Sequence, residues 1–274
     1  IALKGEKIDG NSFVSEVLSK NRAGLVICNV GASIPKQCRT PVIEVTDTLA
    51  AYREIAKRWR AKFNIPIVCV AGSVGKTTTK EVLAAVLSGK FKNVLKTIGS
   101  QNGFVGIPMT LLELRECHDV AVVEIGIDEV GAMQKHLDVV VPTSSVVTAI
   151  AEEHLENLRD LNTVASEESL ALRVVANRKE EPGLVAISTD DPFLCPLLNH
   201  LSGDNIIGFG FNVVSDKRTV RAEWVKDSDQ ELKINFDSKF SSEFMLPLPG
   251  DHNARNLLAA LTVAFQLGLT AEEM

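Results

Sequence analysis

Hydrophobic positions along the chain follow two rhythms, and the change falls near residue 65. Before it, "GLVICNV" (24–30) and "TPVIEV" (40–45) are short apolar runs that predict strands. "DTLAAYREIAKRWRAKF" (47–63) carries Leu49, Tyr52, Ile55, Ala56 and Trp59 at helical spacing, with Asp47 placed as the N-cap. Asn64-Ile65-Pro66 marks a boundary. Beyond it, near-continuous apolar runs at 65–71, 120–125, 144–150 and 184–188 alternate with helical patterns at about 77–91, 106–116, 128–136 and 162–178. Apolar strands separated by helices predict an α/β fold, with a mainly parallel sheet covered by helices on both faces. Near 205 the texture becomes β-like, in "IIGFGF", "VRAEWV", "ELKINF" and "SEFMLPL". A last helix reads from "GDHNARNLLAALTVAFQLG", with Ala254, Leu257, Leu258, Leu261 and Phe265 on one face and Gly268 as its stop. The expected organisation is a small α/β unit over 1–64 and a central unit over 65–274, with a β-rich portion near 205–248.

Composition narrows the class. The 274 residues, 45% hydrophobic and 23% charged, suit an ordinary globular chain with one large core or two moderate ones. A formal charge of −6 argues against a nucleic-acid binder that works through bulk charge. The five cysteines are scattered with no C-x-x-C pair, which reads as reduced thiols rather than a disulfide framework or a zinc site. No apolar run is long enough to span a membrane, and no signal peptide is visible. A cytoplasmic monomer is expected. The chain starts at Ile1 and stops at "LTAEEM" just after a strongly patterned helix, so a fragment of a longer protein is expected.

Three strand ends carry candidate chemistry. "VAGSVGKTTTKE" (70–81) is a strand, a turn over Gly72, Ser73, Val74 and Gly75, then Lys76, Thr77 and Thr78 opening a helix. It lacks the distal glycine of G-x-x-x-x-G-K-[ST], yet its context is that of a phosphate-binding loop. Glycines admit close backbone approach, helix N–H groups face the ligand, Lys76 brings positive charge and Thr77 can ligate Mg²⁺. The bland alternative is a turn with a solvated lysine. "DVAVVEIGIDE" delivers Glu124 to the same edge of the sheet, where a carboxylate can hold Mg²⁺, unless it merely faces solvent. "VVTAIAEEHLENL" delivers His154 there as well, against the reading of a structural histidine. His118, His136 and His200 lack such a setting and are expected at the surface.

Together these segments resemble the Mur ligases, ATP-dependent amide ligases of peptidoglycan precursor synthesis. "GSVGKT" matches the family's compact G-[ST]-x-G-K-[ST] loop, "VEIG" its metal-binding glutamate segment and "EEHLENL" its His-Leu segment. The resemblance implies that Lys76, Glu124 and His154 are catalytic and that His154 serves a second Mg²⁺. "SQNGFVGIPMTLL" resembles the substrate loop, which implies substrate-binding roles for Gln101 and Asn102, with Gly103 replacing a second asparagine. "STDDP" resembles the family's asparagine-aspartate turn, and "GDHNARNLLAAL" its adenine-side segment, which implies that His252, Asn253 and Asn256 bind ATP. "IALKGEKIDGNSF" resembles the uridine-nucleotide-binding segment of the branch that adds D-alanyl-D-alanine, implying substrate roles for Lys4, Gly5 and Glu6. The implied partners are a UDP-muramoyl-peptide and an amine, D-alanyl-D-alanine favoured, with ATP and Mg²⁺ as cofactors.

Two departures stand out. The family's carbamylated lysine, fourteen residues after this histidine, is here Glu168. A glutamate could take its place as an oxygen ligand of the second metal. Otherwise Glu167 and Glu168 form a solvated helix face, or the second site is lost. The family's C-terminal Rossmann-type domain is expected to lie outside this chain, which by itself is expected to be inactive. The implied chemistry is phosphorylation of a carboxylate by ATP, then attack of the amine on the acyl phosphate. A ligase for another carboxylate, or a nucleotide-binding paralogue without ligase activity, are the alternatives.

Overall fold

The structure, a computed structural model, describes residues 1–5, 7–178, 181–201, 203–212, 218–226, 228–237, 239–246 and 248–274. The first region folds around a small core of its own. Val14 and Leu18 of helix α1 (Val14–Ser19) pack with Ala2 and with Val26 and Cys28 of strand β1 (Val26–Asn29), which pairs in parallel with β2 (Val42–Val45). The hydrophobic pattern gives no sign of α1, because six residues are too few for a helical period to register. Helix α2 (Thr48–Arg60) follows, and the Asp47 carboxylate accepts the Ala50 N–H at 2.9 Å, as the sequence predicts.

The rest alternates strand and helix. In order come β3 (Ile67–Ala71), α3 (Lys76–Leu87), β4 (Val94–Lys96), α4 (Gly106–Leu112), β5 (Val120–Glu124), α5 (Ala132–Val140) and β6 (Ser144–Val147). The single turn α6 (Leu155–Leu158), α7 (Leu161–Ala176), β7 (Leu184–Ser188) and α8 (Leu197–His200) follow. β8 (Ile206–Gly210), β9 (Thr219–Trp224), β10 (Glu231–Phe236), β11 (Phe240–Met245) and α9 (Asp251–Gln266) complete the chain. Among the described residues β3 to β11 form one nine-stranded sheet in the order β11-β10-β9-β8-β7-β6-β3-β5-β4. Pairing is parallel from β4 through β9, and β10 and β11 add antiparallel strands. The β-rich stretch is therefore an extension of the same sheet, not a separate layer.

Strand alternation assigns the two faces. Ile67, Cys69 and Ala71 of β3 join Ala56, Ile107, Met133 and Leu172 from α2, α4, α5 and α7. Val68 and Val70 point the other way, into Leu83 and Leu87 of α3 and Leu258 and Leu261 of α9. Both faces of the sheet are thus dry at β3, β5, β6, β7 and β8, which is why those strands read as unbroken apolar runs, while β9, β10 and β11 expose alternate residues. β4, at the edge, has only three residues and escapes the sequence pattern. α5 starts later than the periodicity suggests, because Gly131 at φ +84 forms the turn that opens it.

Two polar features of this scaffold run against expectation. His136 is buried rather than at the surface, its ring 4.5 Å from that of Phe104. Arg60 is buried too, donating to the carbonyls of Val140 at 2.8 Å, Phe63 at 2.9 Å and Val141 at 3.0 Å. It satisfies the otherwise open C-terminal carbonyls of α5 and ties α2 to the sheet's helical layer.

Candidate functional site

The loop after β3 is held by its neighbours in the sheet. The Ser73 N–H donates to Ala149 O at 2.8 Å, and Thr148 Oγ1 donates to Ala71 O and Val74 O, all from the parallel neighbour β6 and the loop after it. Gly75 at φ +86 turns the chain into α3, whose first N–H groups have no intrahelical acceptor. No side chain fits at Gly72: a Cβ there would lie 2.4 Å from Thr148 Oγ1 and 2.9 Å from Thr148 N. Ser73 Oγ is buried without a partner, Val74 stands exposed at the tip, and Thr77 and Thr78 are half-buried in the first turn of the helix. Lys76 folds back over the loop, donating to the carbonyls of Gly72 and Ser73 and lying 3.4 Å from Glu153 Oε2. The solvated-lysine reading does not hold.

Glu124 sits beside the loop because β5 pairs with β3 and Val70 is its register partner. It is completely buried, so the solvent-facing reading fails as well. Its Oε1 accepts from Thr77 Oγ1 at 3.1 Å and from Asn102 Nδ2 at 2.8 Å. Its Oε2 lies 3.3 Å from Nζ of Lys80, itself fully buried one turn along α3. Lys80 escaped the sequence reading, although its phase on α3 is a signal: it shares the buried stripe of Leu83, Ala84 and Leu87.

His154 adopts φ +47 at the start of α6 and remains about half exposed, 3.7 Å from Glu156 Oε1. It lines a cavity of about 230 Å³ with Lys76, Asn102, Gly103, Gly126, Asp128 and Glu153. Glu153, adjacent in sequence, is a second residue that motif reading passed over. Glu167 and Glu168 are both buried, which removes the solvated helix face. Glu168 Oε2 accepts the Gly72 N–H at 2.7 Å, and its Oε1 is buried without a hydrogen-bond partner. Burial above all pushes the Glu168 carboxyl up to about 8; Lys76 opposes this, and Glu153 reinforces it. Glu168 is thereby set beneath the loop, with its hydrogen bond to Gly72 rather than to His154. Among the described residues no three His, Cys, Asp or Glu side chains converge into a ready-made metal cage.

The remaining candidates divide. Asn256, buried on α9, packs against the loop, where a Cβ on Gly75 would lie 2.3 Å from its Oδ1. His252 is exposed one turn earlier, and Asn253 Nδ2 donates to Pro249 O at 2.9 Å, so neither contacts the loop. The "STDDP" turn is structural here. Asp191 accepts the N–H groups of Ile150, Phe193 and Leu194, while Asp190 accepts those of Phe211 and Asn212. Gln101 faces a different cavity, with Leu95, Ile98 and Met109. Lys4 bridges Asp9 and the Gly5 N–H donates to Ile8 O, in an exposed turn with no hydrogen bond or ion pair to the loop among the described residues. Glu6 lies outside the described residues.

The described site can be set beside known proteins. Residues 70–264 match the Mur ligase middle domain. The UDP-N-acetylmuramoyl-tripeptide–D-alanyl-D-alanine ligase of Synechocystis is 33% identical over 276 residues, covering all of this chain and 56% of that protein. The Bacillus subtilis protein of the same name is 29% identical, again over all of this chain and 56% of its own length. A crystal structure of MurF from Acinetobacter baumannii superposes with a TM-score of 0.85 at 28% identity, over 99% of this chain and 57% of that one. MurF from Thermotoga maritima in complex with ADP shares the fold, with a TM-score of 0.77 at 24% identity over 98% of this chain and 60% of that one. The chain thus spans little more than half the length of these relatives. With a middle-domain match that runs from the end of β3 through most of α9, the chain belongs to the Mur ligase family.

Proposed function

We propose that this chain is the nucleotide-binding part of a ligase that joins D-alanyl-D-alanine to a UDP-N-acetylmuramoyl-tripeptide at the expense of ATP, in the cytoplasmic stage of peptidoglycan precursor synthesis. The observation that carries the reading is the 3.1 Å contact between Thr77 Oγ1 and Glu124 Oε1. It sets two hard oxygens at the mouth of a loop whose amides and lysine suit phosphate. Names of the relatives supply the substrates.

ATP fits the loop on physical grounds. Ser73 Oγ is an orphaned buried donor there, and Lys76, now spent on loop carbonyls and Glu153, is free to turn to phosphate oxygens. Mg²⁺ fits Thr77 and Glu124 because it is held by one or two oxygen side chains together with phosphates and water, not by an all-protein cage. When bound, Mg²⁺ would offset charge on the transferring phosphoryl group. The loop amides and Lys76 orient the terminal phosphate, and Asn102 fixes the Glu124 carboxylate. His154, on the wall of the same cavity, is assigned to a second Mg²⁺. Glu168 acts on the loop from below, since its carboxyl is enclosed and holds the Gly72 N–H. His252 and Asn253 are assigned to the adenine side, with Asn256 supporting the loop. Residues 1–64, with Gln101 and Asn102, serve the uridine-nucleotide substrate.

The test is ADP release by the full-length protein, supplied with ATP, Mg²⁺, UDP-N-acetylmuramoyl-tripeptide and D-alanyl-D-alanine. Turnover that needs both substrates and is abolished in Lys76→Met supports the assignment. ATP and ADP binding with no turnover for any muramoyl peptide would point to the non-ligase reading instead.

A further inference from the structure

A lysine with no solvent exposure demands an account, because an ammonium group is rarely buried without strong partners. Lys80 is such a residue. Its Nζ donates to Gly99 O at 2.5 Å and lies 3.2 Å from Glu81 Oε1 and 3.3 Å from Glu124 Oε2. Gly99 O takes a hydrogen bond from the ammonium group, and the two carboxylates face it as ion-pair partners. Glu81 is also paired from the solvent side with Lys96, so Glu124 is the carboxylate for which Lys80 is the resident cation.

The two oxygens of Glu124 therefore differ. Oε1 faces the loop, shared by Thr77 and Asn102. Oε2 is enclosed, has no aligned hydrogen-bond donor, and faces the Lys80 charge. Gly99, which accepts from Lys80, lies in the β4–α4 connection that also carries Asn102, so the same ammonium group steadies the loop that orients Oε1.

We propose that Lys80 is a positioning residue that confines Glu124 to one-oxygen coordination and thereby favours Mg²⁺ over Ca²⁺. This rests on the reading of Thr77 and Glu124 as cation ligands. Ca²⁺ gains from larger coordination numbers and from carboxylates that offer both oxygens, whereas Mg²⁺ takes a compact octahedron with single-oxygen carboxylate bonds. With Oε2 held against a fixed positive charge, the bidentate mode is closed. Lys80 also lowers the net negative charge of the site without competing for Oε1.

The experiment uses the full-length protein with ADP. Mn²⁺ serves as the spectroscopic probe, its bound fraction read by electron paramagnetic resonance, and is competed by Mg²⁺ and by Ca²⁺. In Lys80→Met the ratio of Ca²⁺ to Mg²⁺ affinity should rise about tenfold, the scale expected when a group that orients a metal ligand is removed. Lys80→Gln, which keeps a donor for Gly99 O but withdraws the charge, should move the ratio the same way. If both variants fail to fold, the wild type still decides. The infrared carboxylate bands that change on cation binding and vanish in Glu124→Gln should carry the wide splitting of single-oxygen coordination with either ion. A narrow, bidentate splitting with Ca²⁺ overturns the inference, as does an unchanged affinity ratio in a folded variant. Absence of Mn²⁺ binding by the wild type overturns the cation reading itself, and this inference with it.

Discussion

The amide nitrogen of Gly72 donates a 2.7 Å hydrogen bond to Oε2 of Glu168, 96 residues further along the chain. A loop that we propose presents its amides to phosphate is thus tethered at its first glycine to a helix on one face of the sheet. Glu168→Ala would leave that N–H buried without an acceptor and should cost about 1–3 kcal/mol in urea unfolding. Glu168→Gln keeps an acceptor for Gly72, and should stay within about 1 kcal/mol of wild type below pH 4.5, where the wild-type carboxyl is protonated. The pH dependence separates them further. A carboxyl raised from 4.5 to about 8 contributes its full stability below 4.5 and loses it as pH rises through 8. Glu168→Gln should therefore gain on wild type across that window.

Gly75 and Asn256 form a second contact of this kind. A methyl group at Gly75 would lie 2.3 Å from Asn256 Oδ1, in a backbone at φ +86 that L-residues resist. Gly75→Ala should weaken both ADP affinity and thermal stability, with about 1–2 kcal/mol arising from the backbone alone. Combining it with Asn256→Ala should recover about 1 kcal/mol of the remainder, the coupling expected of residues in contact. Additive losses in the double-mutant cycle would show that the two do not meet.

Acid lability should trace to His136. Burial, then the nearby Arg53 and Lys135 charges, lower its pKa from 6.5 to about 3. A base depressed in the fold contributes stability above 6.5 that is lost as pH falls towards 3. At pH 5 protonation of the unfolded chain costs the fold about 2 kcal/mol, so His136→Phe should be more stable than wild type there by that amount. The two should draw level above pH 7 in thermal unfolding monitored by circular dichroism.

Val141 offers a stabilising change. It caps α5 at φ +45, a left-handed conformation poorly suited to a β-branched residue, and the residue is 42% exposed. Val141→Asn, a residue that tolerates this conformation, should raise stability by about 1 kcal/mol. Its carbonyl still accepts from Arg60 at 3.0 Å. A fall in the urea midpoint would mean that the apolar contacts of Val141 outweigh the backbone strain.

The sequence by itself determined the class of the sheet and the strand ends that carry its candidate chemistry. Near-continuous apolar strands could only belong to a sheet covered on both faces, and Gly72 to Thr78, Glu124 and His154 are each legible as candidates because a strand end, a turn and the candidate residue lie within a few positions. Tertiary structure decided what those residues touch. Only the pairing of β5 with β3 brings Glu124 to Thr77, 47 positions away, and gives it Lys80 as a counter-charge. Only the packing of α7 and α5 shows Glu168 and His136 to be buried, where helical phase alone left Glu168 on a solvated face or at a metal, and placed His136 in water. The physical reason is range. Hydrophobic period and turn chemistry act over one or two turns of chain, while burial and charge pairing depend on which distant segments share a face of the sheet.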